Sequence, residues 1–254
     1  MNPADRENGE AQVSIRVCST LDDARACVEL QRAIWHDSEE DLTPSAIFIV
    51  AAKIGGQTLL ARDGSRPVGF AIAFPAFGED DARYLHSHIV GILPEYQNRG
   101  LGRLLKLKQR EMALAAGISR MEWTFDPLAL RNAYFNVVRL GATMRRSYLN
   151  LYGTTQSPLH SGLPTDRLVA EWRFGSKRVE NALAGKPWAA APDAIQIIVP
   201  AETESWRNSG SPKAAEVQIR LMTEFRSRFA EGFAVTGFRI ENGNGVYLLD
   251  SQKQ

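Results

Sequence analysis

The sequence predicts an α/β (α+β) fold, a mixed β-sheet flanked by helices with a small α/β extension towards the C-terminal end. Three observations predict it. Strand-like and helix-like segments alternate from residue 13 to residue 174. A glycine turn at 97–102 joins a strand-like run to an amphipathic segment of helical period. After Gly175 the composition changes, and Lys186-Pro187, Ala191-Pro192 and the stretch 208–212 bring linker or turn chemistry.

Residues 13–18 alternate apolar and polar and read as a strand. Thr20, with Asp23 three residues on, makes a capping-box-like helix start. Behind it Ala24, Cys27, Val28, Ile34 and Trp35 fall on one helical face. Thr43-Pro44 is a second start, a capping hydroxyl before a proline at the first helical position, and Gly55-Gly56 ends the helix over 47–54. The runs 58–62 and 67–74 are strands joined by Asp63-Gly64-Ser65, a hairpin signal. Residues 84–93 form a further strand. The segment 99–116 is a helix with Leu101, Leu104, Leu105, Met112 and Ala115 on one stripe, closed by Gly117. A short strand at 121–125, a helix over 128–140 closed by Gly141, and strands at 145–152 and 168–174 complete this unit.

The rest reads as a strand at 194–199, a helix opened by Ser211-Pro212, and two strands at 233–239 and 245–249 around Asn242-Gly243-Asn244. Such a β-α-β-β piece is too short to bury a good core by itself. The expected division is a frayed stretch at 1–12, a main domain over 13–175, and an extension over 188–254 packed on the first domain or on a second subunit. A homodimer is compatible with that second arrangement.

Composition narrows the function. Thirty basic residues against 29 acidic leave a formal net charge of +1, which argues against a general polyanion binder. No basic stripe interleaved with aromatics points to nucleic acid. The two cysteines, Cys18 and Cys27, sit in apolar surroundings and read as buried, reduced thiols. No run of about eighteen apolar residues suggests a membrane span, and residues 1–12 are too polar for a signal peptide. The expected setting is cytoplasmic.

The informative segment is the turn Gln97-Asn98-Arg99-Gly100-Leu101-Gly102, with Arg103 behind it. A turn of this kind gathers backbone N–H groups at a helix start, where the helix dipole favours an anion such as pyrophosphate. Gly100 and Gly102 keep side chains away from an approaching phosphate, and Arg99 and Arg103 can add positive charge. Leu101-Gly102-Arg103 does not supply the Gly-Lys-Ser/Thr of a Walker motif. A dinucleotide fingerprint wants glycine or alanine where Leu105 stands.

The segment from Ile92 to Leu105 resembles the signature of the GNAT N-acyltransferase superfamily, Arg/Gln-x-x-Gly-x-Gly/Ala, and the order of elements over 13–174 is similar to that fold. Ser87-His88, the run 105–110, the run 123–128, Arg131-Asn132-Ala133 and the run 163–167 resemble a predicted-acetyltransferase subfamily with an extra C-terminal segment. The resemblance implies a splayed sheet and acyl-CoA, acetyl-CoA above all, as co-substrate, with no metal. It implies that Val90, Gly91 and Ile92 meet the pantetheine and the acyl carbonyl. Gln97, Asn98, Arg99, Gly100, Leu101, Gly102 and Arg103 would hold the pyrophosphate, and Asn132 would bond the pantetheine. The implied activity is N-acyl transfer from acetyl- or succinyl-CoA to a primary amine of a small metabolite such as an amino acid. The alternative is a non-catalytic acyl-CoA sensor or structural subunit.

Acyl transfer to an amine needs a base near working pH. His86 and His88 lie two residues apart on one strand, hence on one face, upstream of the position where relatives splay the sheet. His86 falls where some relatives keep a glutamate. Where many relatives place a tyrosine acid, this chain has Val137, which leaves Tyr134 or Asn136 as substitutes. An aromatic such as Tyr134 is otherwise expected to pack in the core. Glu122 reads as a weaker base candidate or a solvated strand residue. Asp126 is expected to cap the following helix, and Lys106, Lys108 and Arg110 to form a solvated basic face that helps hold the 3′-phosphate.

Overall fold

The computed structural model describes residues 13–35, 42–78, 82–153, 162–186 and 188–251. The expected frayed stretch at 1–12 lies outside the described residues. The chain forms two compact units. One comprises the described parts of 1–74 together with Ile89–Gln109; the other comprises the described parts of 75–88 and 110–254.

In the first unit β1 (Ser14–Val17) pairs antiparallel with β2 (Gln57–Asp63), and β2 with β3 (Arg66–Phe77). The β2–β3 turn is the Asp63-Gly64-Ser65 hairpin expected from the sequence, with Gly64 at φ 56°. Helix α1 (Leu21–Trp35) starts on the predicted capping box. The Asp23 N–H donates to Thr20 Oγ1 (3.1 Å), while Asp23 Oδ2 accepts from the N–H groups of Ser19 (3.1 Å) and Thr20 (3.3 Å). Asp23 is also buried against Arg16, which donates to it, with Arg62 at 3.6 Å.

Burial pushes the Asp23 carboxyl up, but the bonds from Ser19, Arg16 and Thr20 and the charge of Arg16 outweigh it and hold the group at about 2 against an ordinary 3.8. A depressed carboxylate adds stability that is complete above its unfolded value and is lost as pH falls through its folded one. Asp23→Asn is therefore expected to cost about 1–2 kcal/mol at neutral pH, as removal of a cap does. It should also flatten the loss of thermal stability between those two pH values. An acid titration of Tm that runs parallel in both proteins would remove Asp23 from this account.

Helix α2 (Ser45–Lys53) begins one residue later than expected. Pro44 is its N-cap, without a side-chain cap, and Thr43 is held through its backbone by Gln31 at 3.0 Å in both directions. The last strand of this unit is the end of β4 (Arg83–Ile92), followed by a 3-10 turn (Pro94–Tyr96) and α3 (Leu101–Ala115). Gly117 ends α3 at φ 72°, as expected.

Lys106 does not lie on a solvated face. It is 4% exposed, and burial lowers its pKa well below the ordinary value. It follows Leu105, which is wholly buried, and Gln109 one turn on is buried as well. The buried stripe of α3 is thus broader than its apolar residues, because a lysine stem packs like a hydrocarbon.

The second unit carries the strand order β4-β5-β7-β6-β9-β10-β8. Strand β5 (Arg120–Phe125) runs parallel to β4, paired at Leu85↔Met121 and His86↔Glu122. It is antiparallel along its length to β7 (Arg167–Arg173). Pairing with β4 therefore ends at His86, while β5 continues to Phe125. This is the divergence that a splayed sheet requires.

Strand β6 (Thr143–Tyr148) joins β7 to the C-terminal strands through Met144↔Val235 on β9 (Phe233–Glu241), and β10 (Asn244–Ser251) and β8 (Ile195–Val199) follow. Asn242 (φ 51°) and Gly243 (φ 82°) make the β9–β10 turn. The long helix α7 (Pro212–Ala230) starts on Ser211 as expected, and Phe225 stacks edge-on to the buried Tyr247.

Two short helices were not legible, α5 (Lys177–Leu183) and α6 (Thr203–Asn208). Helix α5 lies just before the Lys186-Pro187 signal, and α6 runs up to the turn stretch at 208–212. The single helix expected over 128–140 is α4 (Leu130–Tyr134) continued by a π turn, Phe135–Arg139.

Candidate functional site

The glycine turn belongs to the first unit. Helix α3 starts at Leu101, so the N–H groups of its first turn face away from the helix body. Asn98 and Gly100 take left-handed backbone, at φ 61° and 82°. This conformation strains most side chains and suits asparagine and glycine. A Cβ at Gly100 would meet nothing within 4 Å, so the space before the turn is open. At Gly102 it would lie 3.3 Å from Ile92 Cδ1, so a larger residue there would press on the end of β4.

The side chains around the turn hold it rather than point outwards. Gln97 Nε2 donates to the Ile92 carbonyl at 3.0 Å. Tyr96 donates its hydroxyl to Asp63 Oδ2 at 2.6 Å, and this bond raises the phenol's pKa. Arg99 lies 5.4 Å and Arg66 5.7 Å from the centre of the Tyr96 ring, and Arg66 pairs with Glu95 at 2.5 Å. The Asp63 turn of the β2–β3 hairpin therefore braces the approach to α3. Nothing local in the sequence connects these positions, because the partners stand 33 residues apart. Arg103 is half-buried on the first turn of α3.

Val90 and Ile92 are half-buried on β4, and Gly91 is buried. A Cβ at Gly91 would lie 2.6 Å from Phe70, 2.8 Å from Trp35 and 3.0 Å from Ile34. Packing by α1 and β3 side chains accounts for this glycine.

In the second unit His86 is half-buried and His88 exposed by surface area, with ring centres 6.3 Å apart. The buried Ser87 points to the other face. Although part of its ring meets solvent, desolvation of the rest lowers the His88 pKa below 6.5. Its neutral form is thus the dominant one at neutral pH.

Glu122, the register partner of His86, is no solvated residue. It is buried, accepts from Arg146 at 2.6 Å and lies 3.6 Å from Arg120. A carboxylate engaged in this way is a poor free base.

Tyr134 does not pack in the core: it is 43% exposed at the end of α4. Asn132 is exposed on the same helix. Val137 is buried within the π turn, and Asn136 accepts from Trp123 Nε1 at 3.2 Å. π turns are often found at functional sites. The one here puts Asn136 and Val137 inward and leaves Tyr134 outside. Arg178 of α5 fastens its end, donating to the carbonyls of Gly141 (3.1 Å) and Val137 (3.4 Å). Asp126 makes a turn rather than a helix cap: it accepts from the Leu128 N–H at 2.8 Å and pairs with Arg207 at 2.9 Å.

Among the described residues no group of three or more His, Cys, Asp or Glu could hold a metal ion. No described helix is long and apolar enough to cross a membrane.

Residues 24–134 match the model of the acetyltransferase (GNAT) family. No curated protein matches by sequence. Among solved structures, the GNAT-family acetyltransferase of Streptococcus pneumoniae is similar at 18% identity, over 65% of this chain and 100% of its own, with a TM-score of 0.51. The Salmonella typhimurium protein yncA, solved with its cofactor acetyl-CoA, is 17% identical over 72% of this chain and 99% of its own, with a TM-score of 0.51. The ribosomal-protein-S18-alanine N-acetyltransferase of Escherichia coli is 16% identical over 65% and 96%, with a TM-score of 0.50. At these identities the likeness is one of fold. The signature turn and the end of β4–β5 pairing both fall within residues 24–134, the stretch that matches the acetyltransferase (GNAT) family model, and the chain has the fold of these acetyltransferases.

Proposed function

We propose that this chain is an acyl-CoA-dependent N-acyltransferase that moves an acetyl or succinyl group to the primary amine of a small metabolite such as an amino acid. The turn at 97–102 carries the reading, since its left-handed Asn98 and Gly100 open the first turn of α3 to an anion. Acyl-CoA supplies an activated thioester. In this reading the backbone of Gln97, Asn98, Arg99, Gly100, Leu101 and Gly102 binds the pyrophosphate, and Arg103 adds charge. Val90, Gly91 and Ile92 line the thioester arm, and Asn132 bonds the pantetheine. His88, neutral at working pH, takes the proton from the attacking amine, with His86 beside it. Tyr134 would return a proton to the departing thiolate. The buried Val137, at the position of the relatives' tyrosine acid, favours the second reading, a protein that binds acyl-CoA without turning it over.

A thermal-shift titration with CoA, acetyl-CoA and succinyl-CoA tests the first step. A ligand bound only to the folded state adds roughly 2.7 kcal/mol at a hundred times its dissociation constant. That shift is expected in the wild type and absent in Gly100→Trp, whose indole would fill the open space before the turn. No shift with any of the three would sink the proposal. Release of free thiol on adding amines then separates the enzyme from the sensor.

A further inference from the structure

Cys18 and Cys27 are the two cysteines of the chain, and both are free thiols. Their Sγ atoms stand 3.8 Å apart, within hydrogen-bond reach for sulfur. Neither belongs to the glycine turn or to the histidine strand. The backbone on each side is held in place. Cys18 follows β1 and extends its ladder, donating its N–H to the Thr58 carbonyl at 2.9 Å. Cys27 lies buried on the second turn of α1. That helix is tied to β1 by the capping box of Thr20 and Asp23 and by the bonds from Arg16 to Asp23.

Access differs between the two thiols. Cys27 is wholly buried, whereas Cys18 is half-buried and lines a partly open cavity of about 200 Å³ with Leu21, Phe48, Ala52 and Lys53. The hydrogen bond with Cys18 and then burial push the Cys27 thiol up. Cys27 therefore stays protonated, and Cys18 is the thiol that meets an oxidant first. A disulfide needs its sulfurs about 2.05 Å apart. Closure here asks each sulfur to move by about one ångström.

We infer that Cys18 and Cys27 form a reversible dithiol–disulfide pair, with Cys18 as the attacking thiol and a small-molecule disulfide such as oxidised glutathione as the oxidant. Cys18 gives up its proton and attacks one sulfur of the oxidant, whose disulfide bond breaks and releases one thiol. Cys27 then loses its proton and attacks Cys18 Sγ, and the bond to the second glutathione breaks. Two protein thiols are oxidised, and one disulfide is reduced to two thiols. The product fastens the end of β1 to α1, the helix whose far end sets Ile34 and Trp35 beside Gly91 of β4.

Titration of the full, reduced chain with mixtures of reduced and oxidised glutathione tests the pair, with free thiols trapped by alkylation and the products weighed by mass spectrometry. The expected product has lost two hydrogens, resists alkylation and returns to two free thiols with dithiothreitol. Proteolysis should leave the peptides of Cys18 and Cys27 joined. Cys27→Ala is expected to stop at the mixed disulfide, heavier by one glutathione carried on Cys18, while Cys18→Ser should gain nothing. The equilibrium constant for closure should exceed that of the urea-unfolded chain by about tenfold or more, because the fold holds the thiols together. This comparison needs no variant, so it decides the matter should either variant fold poorly. The inference is overturned by a wild type that keeps two alkylatable thiols in excess oxidised glutathione, that stops at the mixed disulfide, or that closes no more readily than the unfolded chain. Glutathione found on Cys27 in Cys18→Ser would equally remove Cys18 as the attacking thiol.

Discussion

Replacing His88 with glutamine is expected to lower the rate of acyl transfer by about 10²–10⁴-fold, the usual contribution of a positioned general base. Acyl-CoA binding should persist, because no part of the glycine turn is touched. The pH profile gives a signature that a structural role would not. Desolvation disfavours the charged imidazolium, so the His88 pKa lies below 6.5 and the base is already neutral above that value. The acidic limb of kcat/KM should therefore fall below 6.5 in the wild type and vanish in the variant. His86 shares the face and lies 6.3 Å away ring to ring, so His86→Gln is measured beside it. A larger loss there would move the base to His86. An acidic limb that survives in the double variant would remove both histidines from the proton transfer.

Gly91→Val is expected to destabilise the protein by about 1–3 kcal/mol, the range for overfilling a packed core. The first added atom would already stand 2.6 Å from Phe70 and 2.8 Å from Trp35, inside contact distance. Phe70 is wholly buried, so its ring has no open space to move into. Trp35 and Phe70 meet edge to face at 5.9 Å, and Phe48 meets Phe70 at 5.7 Å. The expected readout is a Tm several degrees lower, with Gly91→Ala between the two. A Tm unchanged in Gly91→Val would refute the packing account of this glycine.

The turn at 97–102 was legible because left-handed backbone at a helix start demands particular residues, and Asn98 and Gly100 supply them within six positions. The capping box at Thr20 and the Asp63-Gly64 hairpin were legible for the same reason: their partners are near in the chain. The brace on the turn from Asp63 and Arg66 was not, and neither was the burial of Lys106 or Glu122. The brace joins positions 33 residues apart, and the Glu122–Arg146 pair positions 24 apart. The π turn is not legible in the sequence, because helical periodicity over 128–140 does not distinguish one bonding pattern from another. Helices α5 and α6 are seven and six residues long, too short to show a period against a background of turn residues.

The sequence by itself determined the alternating α/β pattern, the glycine turn at the start of α3 and the placing of His86 and His88 on one strand face. These follow from local rules: side chains alternate along a strand, and a glycine with positive φ marks a turn. Only the tertiary structure decided that Gly91 is enclosed by aromatic rings, that Glu122 is spent on Arg146, and that Tyr134 faces solvent while Val137 is buried. Burial and ion pairing are set by which distant segments meet, and a charge or a hydroxyl does a different job on each side of that line.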